Sequence, residues 1–392
     1  MGGPMTTEGP PASVADLPTS LPTLPRYGES TLADLAGSVL ASLGARSEPN
    51  PLGLPDADRV CLLVVDGMGW ELLRDHQAAA PFLSELAMTG RPLTAGFPAT
   101  TATSLASLGT GRPPGQHGVL GYQVAVPGEG RLLNALRWDQ RVDPVEWQPG
   151  STIFERAAQA GISAFRVAHH ALGPTGLSVA TMRGADVVPA DTLGALVAEA
   201  AAALRGTDRG LAMVYHGELD ATGHVFGCTS DAWRYHLGHV DKLAEQLAGA
   251  LPAGTALYMT ADHGMVDVPD QDRIDADELP ALRDGVALLG GEPRARHVYA
   301  EPGAAGDVLA AWREILGPRA WVASRDEAIA DGWFGPVAPE MAPRIGDVVA
   351  APAGPSAVVA TRAEPRESAL VGMHGSLTSA DQLVPLLALS VM

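Results

Sequence analysis

Acidic and histidine side chains recur along this sequence at points where apolar runs end. Asp220 and His224 form a D-x-x-x-H pair, and Asp262 is followed directly by His263 in the segment ALYMTADHGM. If the first pair lies on a helix, its spacing places both side chains on one face. Carboxylate oxygens and imidazole nitrogens are ordinary zinc ligands. The two pairs therefore indicate a site for divalent metal ions.

Two further residues extend this pattern. Asp66 follows the apolar run RVCLLVV, and His374 lies between glycines in GMHG, where the backbone can approach another group closely. Taken singly, Asp66 is equally well interpreted as a helix cap and His374 as a hydrogen-bonded structural histidine. The combination is much less common than any one of its parts, so we favour a shared metal centre.

A run of small and hydroxyl-bearing residues, TTATSLASLGTG, begins at Thr100. Leu105 and Leu108 lie three residues apart, which predicts a short helix, and residues 97–99 before it are interpreted as the end of a buried strand. A helix N-terminus suits an anionic phosphoryl group, and a hydroxyl group there becomes a nucleophile if a metal lowers its pKa. Thr100 or Thr101 could instead only cap the helix.

The elements that must position these residues alternate between strands and helices. Strands are predicted at residues 59–65, 92–97, 163–168, 210–215 and 255–260, and helices at 31–43, 81–88, 192–204 and 233–251. This alternation predicts an α/β fold, a three-layer α/β/α sandwich with a mostly parallel central sheet. The Pro-, Gly- and Arg-rich region 270–369 interrupts the alternation and is predicted to be a cap or insertion over one end of the sheet, with helices only near 306–316 and 325–330.

Composition excludes several classes of protein. The net charge of −19 over 392 residues argues against a nucleic-acid polymer as partner, since phosphates attract basic surfaces. The two cysteines form no disulfide framework, and no apolar run is long enough for a membrane span. The N-terminus lacks a secretory signal, so a cytoplasmic location is expected. Residues 1–28 are expected to be a flexible segment, of which Leu21 to Tyr27 could pack on the surface, before a catalytic domain over 29–392.

Five motifs, VVDGMG, GTGRPPGQHG, DATGH, ADHGM and GMHG, occur in this order between residues 60 and 375. Together they resemble those of the alkaline phosphatase superfamily, specifically its nucleotide pyrophosphatase/phosphodiesterase-like branch. The resemblance implies an alkaline-phosphatase-like fold and a hydrolase that cleaves phosphodiester or pyrophosphate bonds of small molecules, nucleotides among them.

The resemblance also implies two divalent metal ions, expected to be zinc, although N/O ligands would also accept Mn or Fe. One ion would be held by Asp220, His224 and His374. The other would be held by Asp66, Asp262 and His263, with Thr101 coordinated to it as the nucleophile that forms a phosphothreonine intermediate. The spacing to Gly111 selects Thr101, and the neighbouring Thr100 is the alternative.

One position departs from the family pattern. Tyr122, in HGVLGY, stands where the phosphodiesterases of the family carry an asparagine that binds the phosphate. We expect Tyr122 to bind substrate through its hydroxyl group. The departure leaves open a C–P bond hydrolase resembling phosphonoacetate hydrolase, or a phosphomonoesterase, with the same metals. A metal-binding module without catalysis is a third hypothesis. The oligomeric state is not predicted.

Overall fold

The computed structural model describes residues 21–392, which fold around one large sheet. In chain order the strands are β1 (Arg59–Val65), β2 (Arg91–Thr94), β3 (Gln123–Val126), β4 (Arg131–Asn134), β5 (Ser163–Ala168), β6 (Asp186–Pro189), β7 (Gly210–His216), β8 (Thr255–Ala261), β9 (Val266–Asp267), β10 (Arg273–Asp275), β11 (Val286–Glu292), β12 (Ala295–Ala300), β13 (Ala320–Ser324), β14 (Val348–Pro352), β15 (Ala357–Val359), β16 (Gly372–Met373) and β17 (Leu383–Ser390).

The helices, in the same order, are α1 (Leu32–Ser42), α2 (Trp70–Asp75), α3 (Pro81–Ala87), α4 (Thr101–Thr110), α5 (Pro114–His117), α6 (Pro144–Trp147), α7 (Ile153–Gln159), α8 (Gly176–Met182), α9 (Leu193–Arg205), α10 (Glu218–Phe226), α11 (Asp231–Ala250), α12 (Ala305–Leu316), α13 (Arg325–Ala330), α14 (Pro365–Ser368) and α15 (Ser379–Gln382).

The large sheet has seven strands in the order β2-β17-β8-β1-β7-β5-β6. β1, β5, β6, β7 and β8 are parallel, and β17 runs antiparallel to both of its neighbours. Every residue of β1 after Arg59 is buried, because an apolar run of this kind can be covered on both faces. The mostly parallel sheet predicted from the sequence is confirmed.

Helices cover the sheet in two groups. In one group α1, α4, α7 and α8 pack on one another, and in the other α11 packs against α3, α9 and α10. The result is the predicted three-layer sandwich. Among residues 21–392, no helix combines the length and the apolar character that a membrane crossing requires.

Residues 97–99 are not part of a strand, so that expectation was wrong. β2 ends at Thr94, and a loop leads from there to α4. Pro98 has no N–H group for a strand ladder, which favours a loop here. Within the loop, the Ala99 N–H donates to the Gly375 carbonyl at 2.9 Å, and this bond ties the start of α4 to the segment that carries His374.

The region 270–369 contains a sheet that the sequence analysis did not predict. β11, β12, β14 and β13 form a four-stranded antiparallel sheet, and α12 packs on it. The helices α12 and α13 lie where they were expected. The strands are short and interrupted by glycine and proline, so their alternation of polar and apolar residues is weak.

The first 20 residues of the predicted flexible segment lie outside the described residues. The remainder is attached to the fold at several points. Thr23 N–H donates to the Leu377 carbonyl at 2.7 Å, and the Tyr27 hydroxyl donates to the Trp333 carbonyl at 2.8 Å. The predicted domain boundary at residue 28 therefore falls directly after a segment that packs on the fold.

Candidate active site

The carboxyl ends of three neighbouring strands position most of the predicted site residues. Asp66 follows β1, Asp262 follows β8, and α10, which carries Asp220, follows β7. The last residue of β1 is in register with the last residues of β7 and β8, so the three strands end side by side. This edge of a parallel sheet is where α/β folds bind ligands.

Two glycines permit the close approach of these segments. Gly67 has φ +73°, and a Cβ atom there would lie 3.0 Å from the Cβ of Asp220. A Cβ at Gly264 would lie 1.9 Å from the Ala380 carbonyl oxygen. The glycines of DGMG and DHGM are thus required by packing at the strand ends.

The first predicted ligand set forms one compact cluster. The helical D-x-x-x-H pair brings the His224 Nε2 atom within 3.1 Å of the Asp220 Oδ2 atom, and His374 Nε2 lies 3.9 Å from Asp220 Oδ1. One ligand atom from each of the three residues lies within 4.8 Å of the others, which suits a single ion.

The second predicted set lies beside the first. His263 Nε2 is 3.2 Å from Asp66 Oδ1 and 3.7 Å from Asp262 Oδ2. Ligand atoms of Asp66, Asp220 and His263 also lie within 4.8 Å of one another, so Asp220 stands between the two clusters. The Tyr215 hydroxyl group donates a hydrogen bond to Asp66 Oδ2 and orients that carboxylate.

The three histidines are oriented as metal ligands usually are. Each is bonded through Nδ1 to a backbone carbonyl, which only accepts, so Nδ1 carries the proton and Nε2 is free to ligate. The carbonyls belong to Gly264 for His263 at 3.0 Å, to Gly372 for His224 at 2.7 Å and to Ala99 for His374 at 3.1 Å.

Each of the three aspartates has one carboxylate oxygen without a hydrogen-bond donor. Asp66 Oδ1, Asp220 Oδ1 and Asp262 Oδ2 are buried and accept no hydrogen bond. A buried carboxylate oxygen without a donor is costly, and a cation satisfies it. Both observations show that the residues present fit a site for divalent metal ions.

The pKa values of the cluster reflect dense charge in a buried place. Burial, and then the charge of Asp66, raises the pKa of Asp262 well above its usual value. Burial disfavours charge on Asp66 as well, but the neighbouring His263 keeps its pKa below the usual value. Burial opposes charge on His263 too, but Asp262 and Asp66 raise its pKa. Burial and the charges of the other two histidines lower the pKa of His374 well below 6.5, so this ligand is neutral.

Thr101 and Thr100 have different surroundings. Thr101 is the first residue of α4, and its Oγ1 atom lies 3.2 Å from His263 Nε2, inside the second cluster. Thr100 precedes the helix without capping it, and its hydroxyl donates to Glu292 Oε2 at 2.9 Å. The geometry supports Thr101 over Thr100 as the nucleophile.

Glu292 is a site residue that the sequence analysis missed. It ends β11, is buried, and lies 3.6 Å from the Nδ1 atom of His374. Burial raises the pKa of its carboxyl group to about 8, even though the bond from Thr100 lowers it. An acid at the end of an apolar run, VALLGGE, is the same signal that selected Asp66, and it could have identified Glu292.

The site opens into a cavity of about 450 Å³. Tyr122, the predicted substrate-binding residue, lines this cavity, and its hydroxyl donates to Glu367 Oε1 at 3.1 Å. Because the Tyr122 hydroxyl already donates its hydrogen bond to a carboxylate, it can only accept a hydrogen bond from a ligand, whereas an asparagine amide group can donate one.

A further histidine pair lies outside this centre. His216 Nε2 is 2.9 Å from His236 Nε2, and the ring centroids are 5.2 Å apart. The rings therefore meet almost head-on, which is the geometry of an N–H···N hydrogen bond. His117 is also structural, since its Nδ1 accepts the Val119 N–H at 3.1 Å and its Nε2 contacts Ser107 Oγ at 3.1 Å.

A mostly parallel sheet gathers acids, histidines and a helix-terminal threonine at one edge, and this arrangement suits metal-dependent chemistry. The family model for type I phosphodiesterase / nucleotide pyrophosphatase matches residues 60–377. The chain belongs to this family of metal-dependent hydrolases of phosphodiester and pyrophosphate bonds.

Solved structures with the same fold include members of two enzyme groups. Murine ectonucleotide pyrophosphatase / phosphodiesterase 5 is 19% identical, with a TM-score of 0.68 over 84% of this chain and 87% of that one. The human protein of the same name is 20% identical, with a TM-score of 0.66 and the same coverage. Phosphonoacetate hydrolase from Sinorhizobium meliloti 1021, in complex with phosphonoformate, is 19% identical, with a TM-score of 0.64 over 85% of this chain and 90% of that one. No curated protein sequence matches the chain.

Proposed function

We propose that this protein hydrolyses small-molecule phosphodiesters or pyrophosphates, nucleotides among them, with Thr101 as the nucleophile and two zinc ions as cofactors. The observation that carries the proposal is the position of Thr101 at the first turn of α4, 3.2 Å from His263 Nε2. A structure of the murine relative is described as an inactive threonine-to-alanine variant in complex with AMP, which supports a threonine-dependent reaction on a nucleotide-like substrate.

Two sets of three residues would hold the two ions. Asp220, His224 and His374 would hold one ion, and Asp66, Asp262 and His263 the other. When bound, the ions supply positive charge that lowers the pKa of a coordinated hydroxyl and stabilises developing negative charge.

Thr101 would give up its hydroxyl proton and attack phosphorus in line, and the bond from phosphorus to the leaving oxygen would break as that oxygen takes up a proton. Water would then hydrolyse the phosphothreonine and release the phosphoryl group and the free hydroxyl. The first N–H groups of α4 have no acceptor within the helix, and they would favour an anionic phosphoryl group beside Thr101.

A C–P bond hydrolase is the second candidate. It is favoured by Tyr122, whose hydroxyl group is held by Glu367 and therefore does not reproduce the donor of an asparagine. The similarity to phosphonoacetate hydrolase, described in complex with phosphonoacetate, supports the same alternative.

The test compares metal-loaded wild type with Thr101→Ala, Thr101→Ser and Thr100→Ala on three substrates. These are bis-p-nitrophenyl phosphate, p-nitrophenyl phosphate and phosphonoacetate. We expect the diester to be preferred, Thr101→Ala to lower kcat about a thousandfold or more, and Thr101→Ser and Thr100→Ala to retain measurable turnover. Metal content, measured in parallel, shows whether a variant has lost its ions instead of its nucleophile.

The other outcomes are informative. Turnover of phosphonoacetate alone would move the protein to the C–P hydrolases, and preference for the monoester to the phosphatases. Bound metal without turnover of any substrate would support a non-catalytic metal-binding module. Full activity of Thr101→Ala would exclude Thr101 as the nucleophile.

The proposal includes a cytoplasmic location, which cell fractionation tests. The two cysteines, Cys61 and Cys228, are unpaired and buried, which agrees with a reducing compartment.

A further inference from the structure

Arg166 is a buried cation in the wall of the active-site cavity. It lies on β5, its side chain is 6% exposed, and it lines the same cavity as Asp66, Thr101 and Asp220. Its single hydrogen bond runs from Nη2 to the Leu172 carbonyl at 2.5 Å. Within residues 21–392, no carboxylate oxygen lies within 4.0 Å of its guanidinium group, and its other N–H groups have no protein acceptor.

Other buried arginines of this chain lie against a carboxylate or an aromatic ring of the protein. Arg294 is paired with Asp381 at 2.6 Å, and Arg296 with Glu364 at 2.7 Å. Arg344 donates to two backbone carbonyls and lies 3.7 Å above the ring of Trp147. Arg166 has neither a carboxylate nor a ring partner, and its remaining N–H groups are accessible from the cavity that it lines. A largely buried arginine without an ion pair is costly, so its position needs an explanation.

The acids of the cavity do not supply the missing partner. Glu292 accepts the Thr100 hydroxyl, and Glu367 accepts the Tyr122 hydroxyl. In a chain with a net charge of −19, an unpaired buried arginine inside a cavity is well suited to bind an anion that comes from outside.

The sheet fixes the position of Arg166 relative to the candidate metal centre. Arg166 is the register partner of Met213 on β7. Tyr215 lies two residues further along β7 on the same face, and its hydroxyl contacts Asp66. Strand geometry puts the Cα atoms of Arg166 and Tyr215 about 8 Å apart.

The wall of the cavity is largely apolar. The apolar side chains that line it together with Arg166 include Leu105, Ala168, Leu172, Leu177, Met182 and Met213. The cavity thus has a candidate metal centre at one place, a cation at another, and an apolar surface beside both.

We propose that Arg166 forms an anion-binding subsite and that the substrate carries, beyond an apolar segment, a second anionic group, a carboxylate or a phosphate, which this guanidinium binds. The inference rests on the proposed function, because it assumes that the reacting phosphoryl group occupies the metal centre. The substrates would therefore be organic phosphates or phosphonates that carry two separated anionic groups.

The test measures binding of substrate analogues to the metal-loaded protein by isothermal titration calorimetry. The probes are n-alkylphosphonates, ω-carboxyalkylphosphonates and alkylene bisphosphonates with chains of increasing length. We expect wild type to bind probes of one chain length with a second anion about tenfold or more tightly than the alkylphosphonate of that length. Comparison of the ω-carboxyalkylphosphonates with the bisphosphonates shows whether Arg166 prefers a carboxylate or a phosphate-like group.

The variants separate Arg166 from general electrostatics. Arg166→Met should lose the preference while keeping the affinity for alkylphosphonates, and Arg166→Lys should keep part of it. Arg366→Met removes an exposed arginine of the same cavity and should have a smaller effect, because solvent and salt screen that charge. Equal affinity of wild type for all probes, or a preference that survives in Arg166→Met, would overturn the inference.

Turnover of bis-p-nitrophenyl phosphate separates this inference from the proposed function, since that substrate has no second anion. Normal turnover without any preference among the probes would overturn only the subsite. A clear preference with no turnover of any phosphate ester or phosphonate would leave the subsite and overturn the proposed function.

Discussion

Asp66, Asp220 and Asp262 differ from the buried Asp381 in the hydrogen-bond donors that their carboxylate oxygens lack. Asp381 is equally buried, but both of its oxygens accept hydrogen bonds, from Arg294 and from neighbouring residues. Each of the three site acids instead keeps one buried oxygen without a donor. This contrast separates acids that stabilise the fold from acids placed to bind a cation.

Asp262→Asn should therefore lower the metal content of the protein. We expect the loss of about one ion per chain, because an amide is a neutral and weaker ligand than a carboxylate. Elemental analysis of the purified protein by mass spectrometry measures it. Asp267→Asn is the matched control, since Asp267 accepts the Cys228 and Thr229 N–H groups and belongs to neither cluster. Full metal content in Asp262→Asn would remove Asp262 from the ligand set.

The turn after β1 illustrates how an element constrains the site. Gly67 has φ +73°, its N–H donates to Asp262 Oδ1 at 3.1 Å, and it packs directly against Asp220 of α10. The distance between β1 and α10 at this turn therefore controls the distance between two ligand residues.

We expect Gly67→Ala to weaken both stability and metal affinity. The added Cβ would lie 3.0 Å from the Asp220 Cβ and would displace α10. Gly254→Ala is the matched control, because Gly254 has φ +80° but a Cβ added there would meet no atom within 4 Å. Both variants carry a backbone penalty of about 1 kcal/mol. Only Gly67→Ala should also bind zinc more weakly in a competition titration, and equal zinc affinity in the two variants would contradict this account.

Asp241 of α11 holds a second helix in place. Its carboxylate accepts the Leu83 N–H at 2.8 Å and the Phe82 N–H at 3.3 Å, so it caps the first turn of α3. Asp241→Ala should lower the free energy of unfolding by about 1 to 2 kcal/mol, as loss of a helix cap does, without changing kcat. Asp241→Asn keeps an acceptor and should lose less. Denaturant unfolding measures both, and a large fall in kcat at unchanged stability would oppose a purely structural role.

Across the whole molecule, buried neutral histidines make stability depend on pH. Burial lowers the pKa of His117 to about 3, and it lowers those of His216 and His297 to about 4. A histidine with a lowered pKa in the folded state contributes its stability above the unfolded value of about 6.5. That contribution is lost progressively as the pH falls below 6.5, since the unfolded chain takes up the proton first.

His117→Gln tests this dependence. Between pH 7.5 and 5.5, wild type should lose about 1.4 kcal/mol more stability than the variant does, with chelator present in both. Urea unfolding at the two pH values measures the difference. His170→Gln is the control, because His170 is exposed, and it should follow wild type. If the pH dependence of His117→Gln equals that of wild type, His117 is not the titrating group.

The sequence predicts those features of the fold and the site that depend on neighbouring residues, and it predicts contacts between distant residues less well. The run RVCLLVV forms β1 residue for residue, and the local S/T-x-x-E pattern of Thr152 and Glu155 forms a capping box at the start of α7. The motifs of the candidate metal site were readable because each motif directly follows one strand or lies on the helix after it. Glu292 also ends an apolar run, but it was missed because that run lies in the sheet of β11 to β14, which has no clear periodicity. Its contact with Thr100 joins residues far apart in sequence and could not be predicted.

The position of β17 in the large sheet constrains the order in which the protein can fold during synthesis. It follows every other strand of the large sheet in the chain, yet it lies between β2 and β8 and alone joins them. Until β17 has been translated, β2 and the following helix α4 cannot be joined through the sheet to β8 and β1, the strands that precede Asp262 and Asp66. We expect nascent chains arrested before residue 383 to be protease-sensitive and inactive, and activity to appear only after residues 383–390 have emerged from the ribosome. Activity of chains arrested earlier would show that the catalytic edge assembles without this strand.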